Sequence, residues 1–189
     1  MPKAELSVKD TKFSVRDITY TAMFAVIIAA SSWITVPTAV PFTLQTFGVA
    51  AAVVMLGGKR GIFAVLTYLI LGTAGVPVFA GFSGGIGDII GPTGGYLTGF
   101  LIMALIYAAI TSKFGTSLPV SAVALAAGLA ALYLLGTLQF VLVYSKNNES
   151  MGFASAFGIC VLPFIIPDMI KVALAVFLSR RAGKYVRIS

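Results

Sequence analysis

ICVLPFIIPDMIKVALAVFL, residues 159–178, is apolar enough to cross a membrane as one helix, although it contains Asp168 and Lys171. A helix that crosses the hydrocarbon core needs about 20 residues. An ionisable side chain at the middle of such a helix costs about 2.5–3.5 kcal/mol on insertion scales. Two side chains of opposite sign, three residues apart, share one helix face and can offset each other's cost.

Two interpretations fit this charge pair. Ionisable residues inside a membrane usually face a cavity, a partner or a polar ligand. The alternative is an internal ion pair that only fixes the packing of the helices. Pro163 and Pro167 stand just before the pair, and Pro167 removes a helical hydrogen bond, so we expect it to start or kink the helix there. The backbone freed beside the charges favours the ligand site.

The composition of the chain is that of a membrane protein. Its 189 residues are 59% hydrophobic and 10% charged, and the mean hydropathy is +1.02. A soluble domain carries about 25% charged residues. The apolar runs lack the alternation of a membrane barrel, so we predict an all-α membrane protein. A chain of this length is large enough for one helix bundle and too small for an additional soluble catalytic domain.

Six segments are apolar enough to form membrane helices, although some of them are short. They predict a bundle of six transmembrane helices, at residues 17–36, 44–58, 61–75, 96–112, 119–144 and 159–180. The corresponding organisation is a cytoplasmic amino-terminal segment at 1–16, a single transmembrane substrate-binding domain at 17–181 and a basic cytoplasmic tail at 182–189.

The basic residues predict the orientation of these helices. The loops on the side of the bundle opposite the termini hold a single basic residue, Lys146. Because cytoplasmic loops carry an excess of Lys and Arg, both termini are predicted to be cytoplasmic. This bias accounts for the formal net charge of +7, so a nucleic-acid partner is not predicted. Eleven basic residues fall on the cytoplasmic side: Lys3, Lys9, Lys12, Arg16, Lys59, Arg60, Lys113, Arg180, Arg181, Lys184 and Arg187.

The two outward loops at 37–47 and 72–95 are unusually apolar for connecting segments. The first contains Pro37 and Pro41, which forbid a regular helix, and the second is rich in glycine. We expect both loops to fold back over the outer mouth of the bundle, where irregular backbone is tolerated when it lines a cavity. Asp88 in the second loop is either solvated or part of that cavity.

Several uncharged side chains near the same mouth are candidate ligand contacts. The hydrogen-bonding candidates are Thr43, Gln45, Ser83, Thr93 and Tyr96. The candidates for an apolar wall are Phe42, Phe47, Phe79, Phe82 and Tyr96. Aromatic residues also line membrane interfaces, so each of these is weak evidence when taken singly.

Several classes of site are excluded by what the chain lacks. It has no histidine and one cysteine, Cys160, so His/Cys metal sites and Ser-His-Asp triads are ruled out within it. We expect Cys160 to be a small packed hydrophobe. The GGKRG segment at 57–61 lacks the spacing of a phosphate-binding loop. No catalytic residue, metal or cofactor is therefore predicted, and an intramembrane enzyme acting on lipid is the least favoured alternative.

The first helix carries two further features. Asp17 at its start is predicted to cap the helix, because a carboxylate favours a helix amino terminus. Small residues lie on one face of this helix, and such a face packs closely against another helix, either within the bundle or on a partner protein. They are Ala22, Ala25, Ala29 and Ala30.

Four motifs stand out: VPFTLQTF at 40–47, GVPVF at 75–79, GPTGGY at 91–96 and IPDMIK at 166–171. Together they resemble the BioY family, the biotin-specific S components of energy-coupling-factor (ECF) transporters, over about residues 18–181. The resemblance implies a multi-pass protein of a bacterial or archaeal cell membrane with six helices. It also implies a biotin site near the outer face, closed by the loops after the first and third helices.

The resemblance also implies partners and roles for particular residues. The partners are a transmembrane coupling protein and two cytoplasmic ATPase subunits. Asp168 and Lys171 correspond to the polar ligand contacts of the family, and Ala25 and Ala29 to its docking surface for the coupling protein. S components for other vitamins, such as thiamine or riboflavin, share this architecture, so they remain an alternative.

One position departs from the pattern of the family. Some members carry Arg directly after Gly-Gly-Tyr, where it would contact the biotin carboxylate, and this chain has Leu97. The carboxylate then needs another donor, and the alternatives are Lys171, amides of the loops and hydroxyls such as Ser83.

Overall fold

The computed structural model describes residues 14–147 and 151–182, and most of them are helical. Helices form at all six predicted segments. The elements are α1 (Val15–Trp33), β1 (Thr35–Val36), β2 (Phe42–Thr43), α2 (Gln45–Leu56), α3 (Gly58–Thr73), a 3-10 turn (Ala80–Phe82), α4 (Ile86–Ile90), α5 (Gly94–Phe114), α6 (Leu118–Asn147), α7 (Phe153–Cys160) and α8 (Leu162–Ala182).

The helices differ in how well they suit a membrane. Within the described residues, α5, α6 and α8 are long and apolar enough to cross one, and α2 is a shorter apolar helix. The expectation of an all-α, membrane-embedded fold is thus confirmed at this level. That all six helices span the membrane stays a prediction.

The first of the two apolar loops folds back as a small antiparallel hairpin. Thr35 pairs with Thr43 and Val36 with Phe42, so Pro37 and Pro41 fall in the turn, where their missing N–H groups break no ladder. The hairpin delivers Thr43 and the start of α2 to one end of the bundle.

Helix α1 begins at the predicted position and is capped by its own sequence. Ser14 is the N-cap residue, and its backbone N–H donates to Asp17 Oδ2 at 3.1 Å. Asp17 therefore acts from the third helical position, as the acid of a capping box. Its other carboxylate oxygen lies 2.8 Å from Arg60 Nε, which ties the start of α1 to the start of α3.

The four small residues of α1 are divided between a buried and an exposed side of the helix. Ala25 is 3% exposed and Ala29 is 5% exposed, because α1 packs along α2 and α3. The two residues that the resemblance assigned to a docking surface are therefore covered by this chain's own helices, and their role in docking stays a prediction. The alanines on the exposed side of α1 are Ala22 and Ala30.

The sixth span is divided differently from the prediction. Helix α7 occupies part of the segment expected to be the loop 145–158, and the chain breaks at Val161, with φ −128° and ψ −52°. Helix α8 then starts at Leu162, before Pro167, which lies in its interior. Pro163 explains the early start, because the first turn of a helix needs no N–H donor. Of the two alternatives for Pro167, the one in which it starts the helix is wrong, and the one in which it kinks the helix stays a prediction.

Two contacts place Arg60 and Arg180 at one end of the bundle. Arg60 bridges to Asp17 as above, and an Arg180 guanidinium N–H donates to the carbonyl of Thr116, three residues after Lys113, at 3.1 Å. The start of α1, the α2–α3 and α5–α6 turns and the end of α8 therefore share one end. The hairpin and the glycine-rich loop follow the other ends of α1 and α3, so they lie opposite.

Candidate ligand-binding site

A cavity of about 230 Å³ lies at the end of the bundle opposite Arg60, Lys113 and Arg180. Its walls come from the hairpin and the start of α2, the glycine-rich loop with α4, the starts of α5 and α8, and the middle of α6. All seven residues predicted to contact substrate line it: Thr43, Gln45, Phe79, Ser83, Tyr96, Asp168 and Lys171. The volume lies just below the range of about 300–1,000 Å³ that is usual for small-molecule sites.

The predicted charge pair forms and borders this cavity. Lys171 Nζ donates to Asp168 Oδ1 at 2.8 Å and to the Thr43 carbonyl at 2.6 Å. The ammonium also lies 3.7 Å from the centre of the Phe42 ring, where a cation is attracted to the aromatic face. Asp168 and Lys171 are each 6% exposed. The ion pair therefore locks α8 to the hairpin.

Tyr133 of α6 completes the network. Its hydroxyl donates to Asp168 Oδ2 at 2.7 Å, so each carboxylate oxygen has one partner within the protein. A carboxylate has about four acceptor positions and an ammonium three donors. Both groups thus keep capacity for a ligand while remaining satisfied without one. The two interpretations of the charge pair are compatible, since the same pair packs the helices and lines the cavity.

The start of α2 is held by a second polar contact. Gln45 Nε2 donates to the Tyr68 hydroxyl at 2.9 Å, and the Gln45 backbone N–H donates to Thr43 Oγ1 at 3.2 Å. Tyr68 in turn meets Phe79 edge to face, with ring centres 5.5 Å apart. Gln45 is therefore oriented through its amide nitrogen, which leaves its side-chain carbonyl oxygen as an acceptor.

The GPTGGY motif at 91–96 is explained by close packing against α6. A Cβ at Gly94 would lie 1.8 Å from the Ile89 carbonyl oxygen, and one at Gly95 would lie 2.5 Å from that of Leu135. The Gln139 side-chain amide donates to the carbonyls of Ile89 and Gly91 at 2.7 and 2.9 Å. This amide fixes the loop that carries α4 against α6.

Tyr96 is placed by the same packing. Its hydroxyl lies 3.3 Å from Thr137 Oγ1, and its ring covers Gly136, where a Cβ would come within 2.3 Å of ring carbons. The ring therefore forms a wall of the cavity only because residue 136 has no side chain.

The apolar walls include both predicted and unpredicted residues. Phe42 stacks on Phe164, with ring centres 5.6 Å apart, and Leu97, Phe100 and Leu132 also line the cavity. Phe47 does not line it, and Phe82 is 63% exposed and stacks on Trp33 instead. These two aromatic residues are therefore wrong as wall candidates.

Sequence reasoning also missed Tyr133 and Gln139, two polar residues that hold the site together. The signal available for them was weak, namely polar side chains within the apolar run 119–144. Cys160 is buried, as expected of a packed hydrophobe, and it also lines the cavity, as do Thr93 and Asp88. Among residues 14–147 and 151–182, no group of three or more His, Cys, Asp or Glu side chains could hold a metal ion.

Comparison with known proteins shows close relatives along nearly the whole chain. The model of the BioY family matches residues 5–188. A protein named probable biotin transporter BioY, from Pyrococcus horikoshii, is 40% identical over 169 residues, which cover 88% of this chain and 95% of that protein. The biotin transporter BioY of Thermotoga maritima is 36% identical over 173 residues, covering 90% and 97%.

A solved structure shares the fold. The S-component for biotin from an ECF-type ABC transporter, determined at 2.1 Å, superposes with a TM-score of 0.81 and 27% sequence identity. The match covers 90% of this chain and 92% of that one. The arrangement of helices around the cavity is therefore that of a known membrane-embedded fold.

Proposed function

The chain belongs to the BioY family, and from that premise we propose that it is the biotin-capture subunit of an ECF-type vitamin importer. It is a transporter subunit and not an enzyme. The observation that carries the proposal is the buried network of Tyr133, Asp168 and Lys171 on the wall of a ligand-sized cavity. Such a network in a membrane protein is typical of a polar ligand site.

The chemistry of this cavity suits biotin. The Asp168 carboxylate can accept hydrogen bonds from the N–H groups of the ureido ring, and the Lys171 ammonium can donate to its carbonyl oxygen. Gln45, Thr43 and Ser83 offer further hydrogen-bonding groups. The thiophane ring and the valeryl chain need an apolar wall, which Phe42, Phe79, Phe100, Tyr96 and Leu132 supply.

We propose an orientation in the membrane from the positions of the basic residues. We propose that α1, α2, α3, α5, α6 and α8 all span the membrane, with both termini in the cytoplasm and the cavity toward the outer face. Support comes from the basic residues grouped at the end opposite the cavity. The proposed boundaries remain 1–16, 17–181 and 182–189. Five of the basic residues used for this orientation lie outside the described residues: Lys3, Lys9, Lys12, Lys184 and Arg187.

Partners complete the proposal. The chain carries no phosphate-binding loop of the Gly-x-x-x-x-Gly-Lys-Ser/Thr type, so ATP-driven release of biotin would be supplied by a transmembrane coupling protein and two cytoplasmic ATPases. We propose that the coupling protein docks on α1 at the face that carries Ala25 and Ala29. These two residues are buried in the isolated chain, whereas Ala22 and Ala30 of the same helix are exposed.

The test is equilibrium binding of labelled biotin to the purified chain in detergent, without ATP or partners. We expect saturable binding that unlabelled biotin competes away and that Asp168→Asn abolishes. Lys146→Gln is the control, because Lys146 lies in the last turn of α6 and does not line the cavity. Absence of binding by folded protein would discard biotin and call for a panel of other vitamins.

A further inference from the structure

The formal charges on the cavity wall do not cancel. Of the residues that line it, Asp88, Asp168 and Lys171 carry formal charge. Asp168 and Lys171 neutralise each other in their ion pair. In the part of the chain that the structure describes, Asp88 has no Lys or Arg nitrogen within 4.0 Å. The lining therefore carries one net negative charge, contributed by Asp88.

Asp88 occupies a different wall from the ion pair. It lies on α4, whose end is anchored to α6 by the Gln139 side-chain amide. The ion pair instead lies against the hairpin, through the Thr43 carbonyl. Asp88, Ser83 and Thr93 are all half-buried although they line the cavity, so the cavity reaches solvent along this wall.

Lys171 has one N–H donor left, which the proposed function assigns to the ureido carbonyl, so it has none for a second anion. Its ammonium already donates to Asp168 and to Thr43, and the face of Phe42 covers another side of it. When the ureido ring of a ligand binds this ion pair, the tail of the ligand must lie against the other walls of the cavity. A tail that ends in a carboxylate then shares the cavity with the carboxylate of Asp88, and like charges in a protein environment repel.

We infer that the cavity accepts biotin whose carboxyl group is masked as an amide at least as well as free biotin, and that Asp88 sets this charge preference. The inference rests on the proposed function. An amide whose tail carries an ammonium group is the preferred ligand class, since that group is attracted by Asp88 where the cavity meets solvent. The amino terminus of α5, beside Thr93, favours an anion through its dipole, so the experiment must weigh the two influences.

Three probes that share the ring system and valeryl chain separate these influences. Biotin is anionic, biotinamide is neutral and N-(2-aminoethyl)biotinamide is cationic. Binding of each to the purified full chain in detergent is measured by titration calorimetry, at low and high salt. We expect the wild type to bind biotinamide at least as tightly as biotin, and the cationic amide about threefold to tenfold more tightly than biotin, with a smaller ratio at high salt.

Two substitutions at one position connect the preference to Asp88. Asp88→Asn removes the charge at nearly constant size and should abolish most of the ratio between cationic amide and biotin. Asp88→Glu keeps the charge and should keep the ratio. A wild type that binds biotin more tightly than both amides, or an unchanged ratio in Asp88→Asn, overturns the inference. Folded protein that binds none of the three probes overturns the proposed function, and this inference with it.

Discussion

Tyr133 on α6 donates its hydroxyl to Asp168 on α8 at 2.7 Å, and this contact lies between two different spaces. On one side is the ligand cavity, and on the other is an apolar groove of about 1,270 Å³ between α6 and α8; Tyr133 lines both. The tyrosine therefore closes the cavity laterally while it orients the carboxylate that we assign to the ureido ring.

Removing this hydroxyl should weaken binding without changing the fold. Tyr133→Phe deletes one hydrogen bond to a charged acceptor, worth about 1.5–3 kcal/mol, so we expect biotin affinity to fall by roughly tenfold or more. Equilibrium binding measures it. The matched control is Tyr107→Phe, because Tyr107 is also buried, bonds to Ser121 and does not line the cavity. Equal effects of both substitutions would argue against a ligand role for Tyr133.

The charge pair allows packing and ligand binding to be separated. Lys171→Met should lower the free energy of unfolding by about 3–5 kcal/mol, because it leaves the buried Asp168 charge unpaired. The double variant Asp168→Asn, Lys171→Met removes both charges and should recover much of that loss. Thermal unfolding in detergent measures the stability.

In these same variants, biotin binding should not recover together with stability. We expect the double variant to remain unable to bind biotin, since neither the carboxylate nor the ammonium is present. A stable double variant that binds like the wild type would show that the pair serves packing alone.

The glycine beneath Tyr96 gives a steric prediction. Gly136→Ala places a methyl group against the Tyr96 ring, at 2.3 Å in the present packing, so the ring must move toward the cavity. We expect weaker biotin binding and a lower melting temperature, because overpacking lowers the free energy of unfolding by about 1–3 kcal/mol. Gly152→Ala is the control, because a Cβ there meets nothing within 4 Å.

The Gln139 amide gives a prediction about the loop that carries α4. Gln139→Glu keeps the shape but replaces the NH₂ donor with a carboxylate oxygen that faces the carbonyls of Ile89 and Gly91. We expect faster hydrogen exchange across residues 86–93 and weaker biotin binding. Exchange that stays at the wild-type rate would mean that glycine packing alone holds this loop.

The charge pair illustrates what the sequence made predictable. Asp168 and Lys171 are three residues apart on one helix, so their shared face follows from helix geometry alone, and the apolar run around them indicated burial. Thr43, Gln45 and Ser83 were assigned to the same cavity from the composition of two loops, and the structure brings them there.

What escaped prediction depends on tertiary packing. The Thr43 carbonyl accepts from Lys171 across 128 residues of chain, and its position depends on the hairpin register, which the two prolines permit but do not determine. Tyr133 was missed because the rotation of α6 against α8 decides which of its side chains face the cavity. Helix α7 was missed because a short apolar segment before Pro163 does not by itself distinguish a loop from a helix.

The departure at Leu97 gives the last prediction. Leu97 is 7% exposed and lines the cavity, directly after Tyr96. Leu97→Arg would add a positive charge to a wall that carries one net negative charge, so the preference should shift toward free biotin. We expect the affinity ratio of biotin to biotinamide to rise by roughly tenfold. One attraction between the introduced guanidinium and the biotin carboxylate, at a dielectric constant between those of water and a dry protein interior, is strong enough for this. Leu97→Gln, polar and uncharged, is the control for size and polarity. If Leu97→Gln raises the ratio as much as Leu97→Arg does, the carboxylate is bound by hydrogen bonds and not by charge.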